Sequence, residues 1–193
     1  MDENDFAYLL MSEERKKWQD PQKILEELGI AENANSADLA CGPGFFTIPL
    51  AQMARGSAIV YAVDQSAVML SHLERNLKAA VPPETLQRVK IIQGDVTRTT
   101  IPGESVSLVF FAQILHDLEN HKTFFDEIKR ISQKECRIVD IDWHKRNTND
   151  MGPPVEIRLS ENEARKILRD NGFQIVHALN AGPHHYGLVA KRR

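Results

Sequence analysis

The stretch that decides the fold is DLACGPGFFTIPLA, residues 38–51. A short apolar run leads into it from Ser36, two glycines stand two apart at Gly42 and Gly44, and a helical apolar pattern follows from about 45 to 53. Strand, tight turn and helix in that order leave the helix's first backbone N–H groups unsatisfied at the turn, where glycine lets a ligand come close. Pro43 stiffens the turn between the two glycines. On their own the glycines are a weak signal, because many α/β turns use glycine for conformation alone.

The same alternation runs outward in both directions. Strand-like runs recur at 36–40, 58–63, 89–92, 105–110, 137–141, 174–179 and 186–190, seven in all. Between most of them lie amphipathic helical patterns at 66–80, roughly 121–132 and 161–171, and another precedes the first strand at 20–28. Pro21 suits the first turn of that leading helix and Gly29 its stop, while Ser160 with Glu163 makes a capping box for the last one, which ends at Gly172. Alternating strand and helix implies right-handed crossovers and a mostly parallel sheet covered on both faces. Only 180–185 is too short for a crossover, so the final two strands form an antiparallel hairpin. Without repeat or linker, residues 1–193 read as one domain, with 1–19 as an N-terminal helical addition.

Composition narrows the classes. With 42% hydrophobic and 26% charged residues the chain is globular rather than disordered. Lys and Arg total 24 against 27 Asp and Glu, a formal charge of −3, so no global positive field collects nucleic acid or anionic membrane. A nucleic-acid substrate would need a local patch, and LysArgArg at 191–193 reads as a solvated tail. The longest apolar stretch, 106–115, is broken by Ser107 and Gln113 and falls short of the roughly 20 residues of a membrane helix. The start, MDENDF, is acidic where a secretory leader is basic and then apolar, which predicts a cytoplasmic protein with Cys41 and Cys136 reduced. The two thiols also belong at opposite ends of the sheet, since five strand residues span roughly 16 Å against a disulfide limit of roughly 7 Å.

Two acidic positions give the glycine turn its context. Asp64 ends the second strand, 20 residues beyond Gly44, where a carboxylate accepts both hydroxyls of an adenosine ribose or, more plainly, caps a helix. Gly94-Asp95 follows the third strand, where a carboxylate could accept an exocyclic adenine amine or merely close a turn. Three such sites at successive strand ends describe an adenosine pocket at the strand-order switch point. A dinucleotide fingerprint, G-x-G-x-x-G, has Thr47 at its third position here, and no Tyr-x-x-x-Lys pair accompanies it, which disfavours an NAD-dependent oxidoreductase. Asp38, four residues before Gly42, is placed to hold a ligand's ammonium group, which NAD lacks and S-adenosylmethionine (SAM) has.

In DLACGPG, YAVDQSAVML, IIQGDV and SVSLVFFAQILHDL the chain resembles the class I SAM-dependent methyltransferases of small-molecule type, over about residues 20 to 190. The resemblance implies a Rossmann-like sheet of order 3-2-1-4-5-7-6 with strand 7 antiparallel and helices on both faces. It puts Ala40, Gly42 and Gly44 round the methionine part, Asp64 on the ribose, Asp95 and Val96 at the adenine, and Gln113 beside the methyl group; Asp38, Phe45, Gln65 and Gly94 complete the candidate cofactor-binding set. Ala40 stands where the usual G-x-G-x-G has its first glycine, a methyl small enough to be tolerated.

On that topology Gln113 to Asp117, Asp142 to His144 and Gly182 to Tyr186 meet at the carboxyl edge of the sheet. Methyl transfer is an in-line displacement, so a protein aligns the acceptor and removes its proton where it has one. His116 and Asp142 are the candidate catalytic pair, although His116 could cap the next helix and Asp142 could hold a loop. Trp143 and Tyr186 serve as a substrate wall or as core edge. His184-His185 suggests a metal to the eye, but adjacent ligands need awkward geometry, and no metal is expected. FAQI stands where amine and amide methyltransferases carry N-P-P-[YF], two cysteines are too few for an arsenic-type thiol relay, and no large inserted domain is present. A small-molecule acceptor is therefore expected, with a catalytically silent SAM-binding module as the rival reading. The polar loop 145–155, with Gly152 beside two prolines, is expected to close over the acceptor.

Overall fold

Strand β1 (Ser36–Leu39) is buried at every position, and it lies inside the sheet because parallel neighbours flank it on both edges. It pairs with β2 (Val60–Asp64) on one side and β4 (Val106–Ala112) on the other. Beyond β2 comes β3 (Val89–Gln93), and beyond β4 come β5 (Ser132–Trp143), β7 (His185–Arg192) and β6 (Phe173–Leu179), giving the order 3-2-1-4-5-7-6. β7 is antiparallel to both β5 and β6, as the short connection at 180–184 requires. The computed structural model describes residues 2–31, 33–146 and 151–193. Among these, no helix is long and apolar enough to cross a membrane.

Helices cover both faces. On one, α3 (Pro21–Glu27), α4 (Thr47–Met53) and α5 (Ala67–Ala80) bury Leu25, Leu50, Leu73 and Leu77 against Val60, Phe110, Val139 and Ile141. On the other, α7 (His121–Ile131) and α8 (Glu161–Asp170) bury Phe124, Phe125, Ile128 and Leu168 against Val109, Phe111, Ile138 and Leu188. The alternation of odd and even strand positions between these two groups is the period-2 pattern of a sheet buried on both sides. The capping box at Ser160 and Glu163 is present. Two short elements escape periodicity reading, α6 (Pro83–Leu86) and a 3-10 turn (Leu115–Asp117), because four residues are too few to show a face. β5 begins five residues before its expected start, directly after α7, with Ser132 paired to Val106 across an irregularity in the β4 register.

The N-terminal addition forms α1 (Glu3–Leu10) and α2 (Glu13–Trp18). α1 lies on α5 through Asn4 with His72 (2.9 Å), Glu3 with Ser66 (3.0 Å) and the edge of Tyr8 on His72. α2 meets the far end of the chain: the Trp18 indole stacks on the His185 ring at 5.5 Å and 6°, and a Cβ added at Gly182 would collide with the Trp18 carbonyl oxygen.

Candidate active site

The carboxyl edge of β1, β2, β3 and β4 opens into a cavity of about 710 Å³, within the range of small-molecule sites. The turn after β1 forms its floor. Ala40, Gly42 and Gly44 all have positive φ, 58°, 54° and 99°. Ala40 therefore differs from glycine in more than its size, since a left-handed alanine costs about 1–2 kcal/mol. Ala40 and Gly42 line the cavity, and a Cβ on Gly42 would meet only Leu10 Cδ1, at 3.8 Å.

Gly44 departs from expectation. It is not among the residues lining the cavity, and a Cβ there would lie 2.5 Å from Leu73 Cδ1 and 3.4 Å from Ile48 Cγ1. Its missing side chain lets α4 and α5 pack together, whereas Gly42 is the glycine that lines the cavity.

Behind the turn Asp38 is buried and accepts a 2.6 Å hydrogen bond from Thr47 Oγ1. Burial lifts its carboxyl to about 7, the Thr47 bond opposes that, and Asp64 adds to it. Asp64 accepts from the Gly42 N–H at 2.8 Å and from the Ser66 N–H at 2.9 Å, which ties the end of β2 to the floor of the cavity. Asp95 is exposed and accepts from the backbone and hydroxyl of Thr97 through Oδ1. Phe45, Gln65, Gly94 and Val96 complete this side. Cys41 also lies on the wall, and burial followed by the charges of Asp38 and Asp64 holds its thiol well above the usual range, so it is no nucleophile.

Gln113, directly after β4, has φ 60°, a conformation rare outside glycine that clusters at functional sites. Its amide nitrogen lies 2.9 Å from His185 Nε2. Burial, with the Arg15 charge behind it, pushes the His185 imidazole down to about 2, so the ring is neutral. It accepts the Gln113 amide N–H at Nε2 and carries its own proton on Nδ1.

His116 and Asp142 come together as the topology implies. His116 Nδ1 is 2.8 and 2.9 Å from the two Asp142 oxygens, and the His116 side chain is 4% exposed. Burial opposes its charge, but the Asp142 hydrogen bond and the Asp142 and Asp117 charges outweigh it and raise the imidazole above its ordinary value. Neither residue is on the cavity wall. Asp117 is, with its carboxylate 3.4 Å from His116 Nε2. Asp142 points to the face packed by α7 and α8, beside Tyr186 and Asp140, where both Asp140 oxygens and the Tyr186 hydroxyl lack partners among the described residues. Burial, then Asp142, lifts the Asp140 carboxyl well above the usual range.

The roof is the part sequence reasoning missed: Phe6, Leu10 and Arg15 of α1 and α2 line the cavity. The i, i+4 spacing of Phe6 and Leu10 was the available signal. The expected cover at 145–155 includes 147–150, which lie outside the described residues. Of its described residues none lines the cavity. Arg158 instead ties both flanks, donating to the carbonyls of His144, Arg146, Met151 and Pro153, and Gly152 lies against the Trp143 ring.

This geometry has known counterparts. A SAM-dependent methyltransferase structure from Aquifex aeolicus superposes with a TM-score of 0.87 at 27% identity, covering 98% of each chain. A putative type 11 methyltransferase from Sulfolobus solfataricus gives 0.74 at 28% identity, over 91% of this chain and 94% of that one. A demethylmenaquinone methyltransferase of Bacillus velezensis is 24% identical over 127 residues, 66% of this chain and 52% of its own, so the chain spans about half the length of that curated relative. The methyltransferase domain family matches residues 37–140, from the start of β1 into β5, and it is to this family that the chain belongs.

Proposed function

We propose that the chain transfers a methyl group from SAM to a small-molecule acceptor. The observation that carries this reading is one cavity on which Asp38, Ala40, Gly42, Asp64, Asp95 and Gln113 converge from four successive strand ends. The residues fit the cofactor: Asp38 is a buried carboxylate suited to an ammonium, Asp64 would take the ribose hydroxyls, and Asp95, which uses Oδ1 for Thr97, would accept an adenine amine through Oδ2. When bound, SAM supplies an electrophilic methyl on a sulfonium.

The chain's own part is to align the acceptor and take its proton. Asp142 fixes His116 in the tautomer that leaves Nε2 as the acceptor, and once Nε2 has taken the proton the Asp117 carboxylate on the cavity wall, 3.4 Å away, stabilises the imidazolium. The name of the Bacillus relative, demethylmenaquinone methyltransferase, supports a small acceptor, as does the formal charge of −3 against a nucleic-acid one.

A silent SAM-binding module is the second reading, favoured by the absence of His116 and Asp142 from the cavity wall. Calorimetry with SAM, S-adenosylhomocysteine (SAH) and NAD tests the cofactor, and Asp64→Ala should weaken SAH binding by about 1.5–3 kcal/mol. A methyl-transfer screen over metabolites with labelled SAM then separates the two readings. Turnover of any acceptor removes the silent module; binding without turnover across the screen favours it.

A further inference from the structure

One cation on the cavity wall has no carboxylate to meet it among the described residues. Arg15 is buried, its Nε and Nη2 both donate to Gln19 Oε1 at 3.0 and 2.9 Å, and Nη1 donates to the Leu10 carbonyl at 3.2 Å. Every one of these acceptors is neutral. A guanidinium has five N–H groups in a fork that suits a carboxylate, so donors remain. The guanidinium carbon lies 3.9 Å from the Phe45 ring centroid, which fixes the plane of the fork, and Gln19 Nε2 is buried beside it without a partner among the described residues. Burial pushes the guanidinium down to about 9, so it is still charged at neutral pH. A buried charge without a counter-charge is costly, and a bound anion relieves that cost.

We propose that Arg15 anchors a carboxylate in this cavity, that of the amino-acid end of SAM. The proposal rests on the cofactor reading above and deepens it. Its location favours the cofactor over an anionic acceptor as the source of the carboxylate. Leu10, whose carbonyl Arg15 holds, stands 3.8 Å from a Cβ placed on Gly42, and Phe45 directly follows the glycine turn. Arg15 thus hangs over the turn facing the ligand's methionine end. It also lies in α2, in front of the matched family segment of 37–140.

The test compares SAM with decarboxylated SAM, which lacks only the carboxylate, by calorimetry. The wild type should bind SAM roughly 10- to 100-fold more tightly. Arg15→Gln should bind the two ligands alike, near the wild-type affinity for decarboxylated SAM, and Arg15→Lys should keep part of the preference. Equal binding of both ligands by the wild type overturns the proposal without any variant, so a misfolded Arg15→Gln leaves it open to refutation. A preference that survives in folded Arg15→Gln overturns it too, and if that variant instead raises only the acceptor KM, the carboxylate belongs to the acceptor. A wild type that binds neither ligand fails the cofactor reading itself.

Discussion

Thr47 Oγ1 donates a 2.6 Å hydrogen bond to Asp38 Oδ2, joining the first residue of α4 to β1 behind the glycine turn. Where a dinucleotide fingerprint has a glycine, this chain has a side chain that orients the buried carboxylate of its cavity. A carboxyl lifted to about 7 by burial is half ionised near neutrality, and an ammonium-bearing ligand prefers the ionised form. SAH affinity should therefore rise between pH 6 and 8 in the wild type and stay flat over that range in Asp38→Asn. Parallel curves would remove Asp38 from ligand binding.

The same group makes a stability prediction of definite sign. Because its folded value lies above the unfolded 3.8, the native state holds the extra proton. That stabilisation is full below about pH 4 and is lost as pH rises through about 7. Asp38→Asn carries no such loss, so its melting temperature relative to wild type should climb from pH 4 to pH 8.

Gly42 and Gly44 should separate cleanly. Gly44→Ala puts a methyl 2.5 Å from Leu73 Cδ1 at φ 99°, and overpacking of this kind costs about 1–3 kcal/mol. Leu73→Ala should return part of that loss in the double variant, measured by denaturant unfolding. Gly42→Ala, with space at its Cβ, should lose less stability and more SAH affinity. The reverse ranking would put the ligand at Gly44.

Ala40→Gly relaxes a left-handed alanine at φ 58° and should stabilise the protein by about 0.5–1 kcal/mol. For a chain of this size that is a rise of about 1–4 °C in Tm. A lower Tm would mean that the methyl contact outweighs the backbone strain.

His116 must be neutral to take a proton, and its raised value means that the limiting rate should increase with pH through a midpoint above 6.5. Asp142→Asn removes the hydrogen bond and charge that outweigh burial, so the midpoint should fall. A midpoint unmoved by Asp142→Asn would assign the titration elsewhere. His185, held near 2, takes no part in it.

Much of this was legible in the sequence because it is local. DLACGPG announces strand, turn and helix; the Ser160–Glu163 box marks its helix start; and strand order places Asp142 beside the turn that carries His116. What escaped depends on orientation and on distant partners. Whether Gly44 faces a ligand or Leu73 is decided by how α5 lies on α4. The direction of Asp142, toward the α7 and α8 face rather than the cavity, depends on pleat and register. The EERKKWQ segment has too many charges to advertise a buried arginine, and nothing in it says that α2 lies over the β1 turn.

The Trp18 carbonyl beneath Gly182 and the indole on His185 bear on the order of events during synthesis. Residues 6–18 leave the ribosome long before residues 182–185, yet their docking surface includes those late residues. α1 can settle on α5 once residues 66–72 have emerged, but Trp18 at the end of α2 has no hairpin to pack on until residues 182–185 follow. The cavity wall is thus completed from both ends of residues 2–193, and a chain stalled before the hairpin holds α2 only from the α1 side.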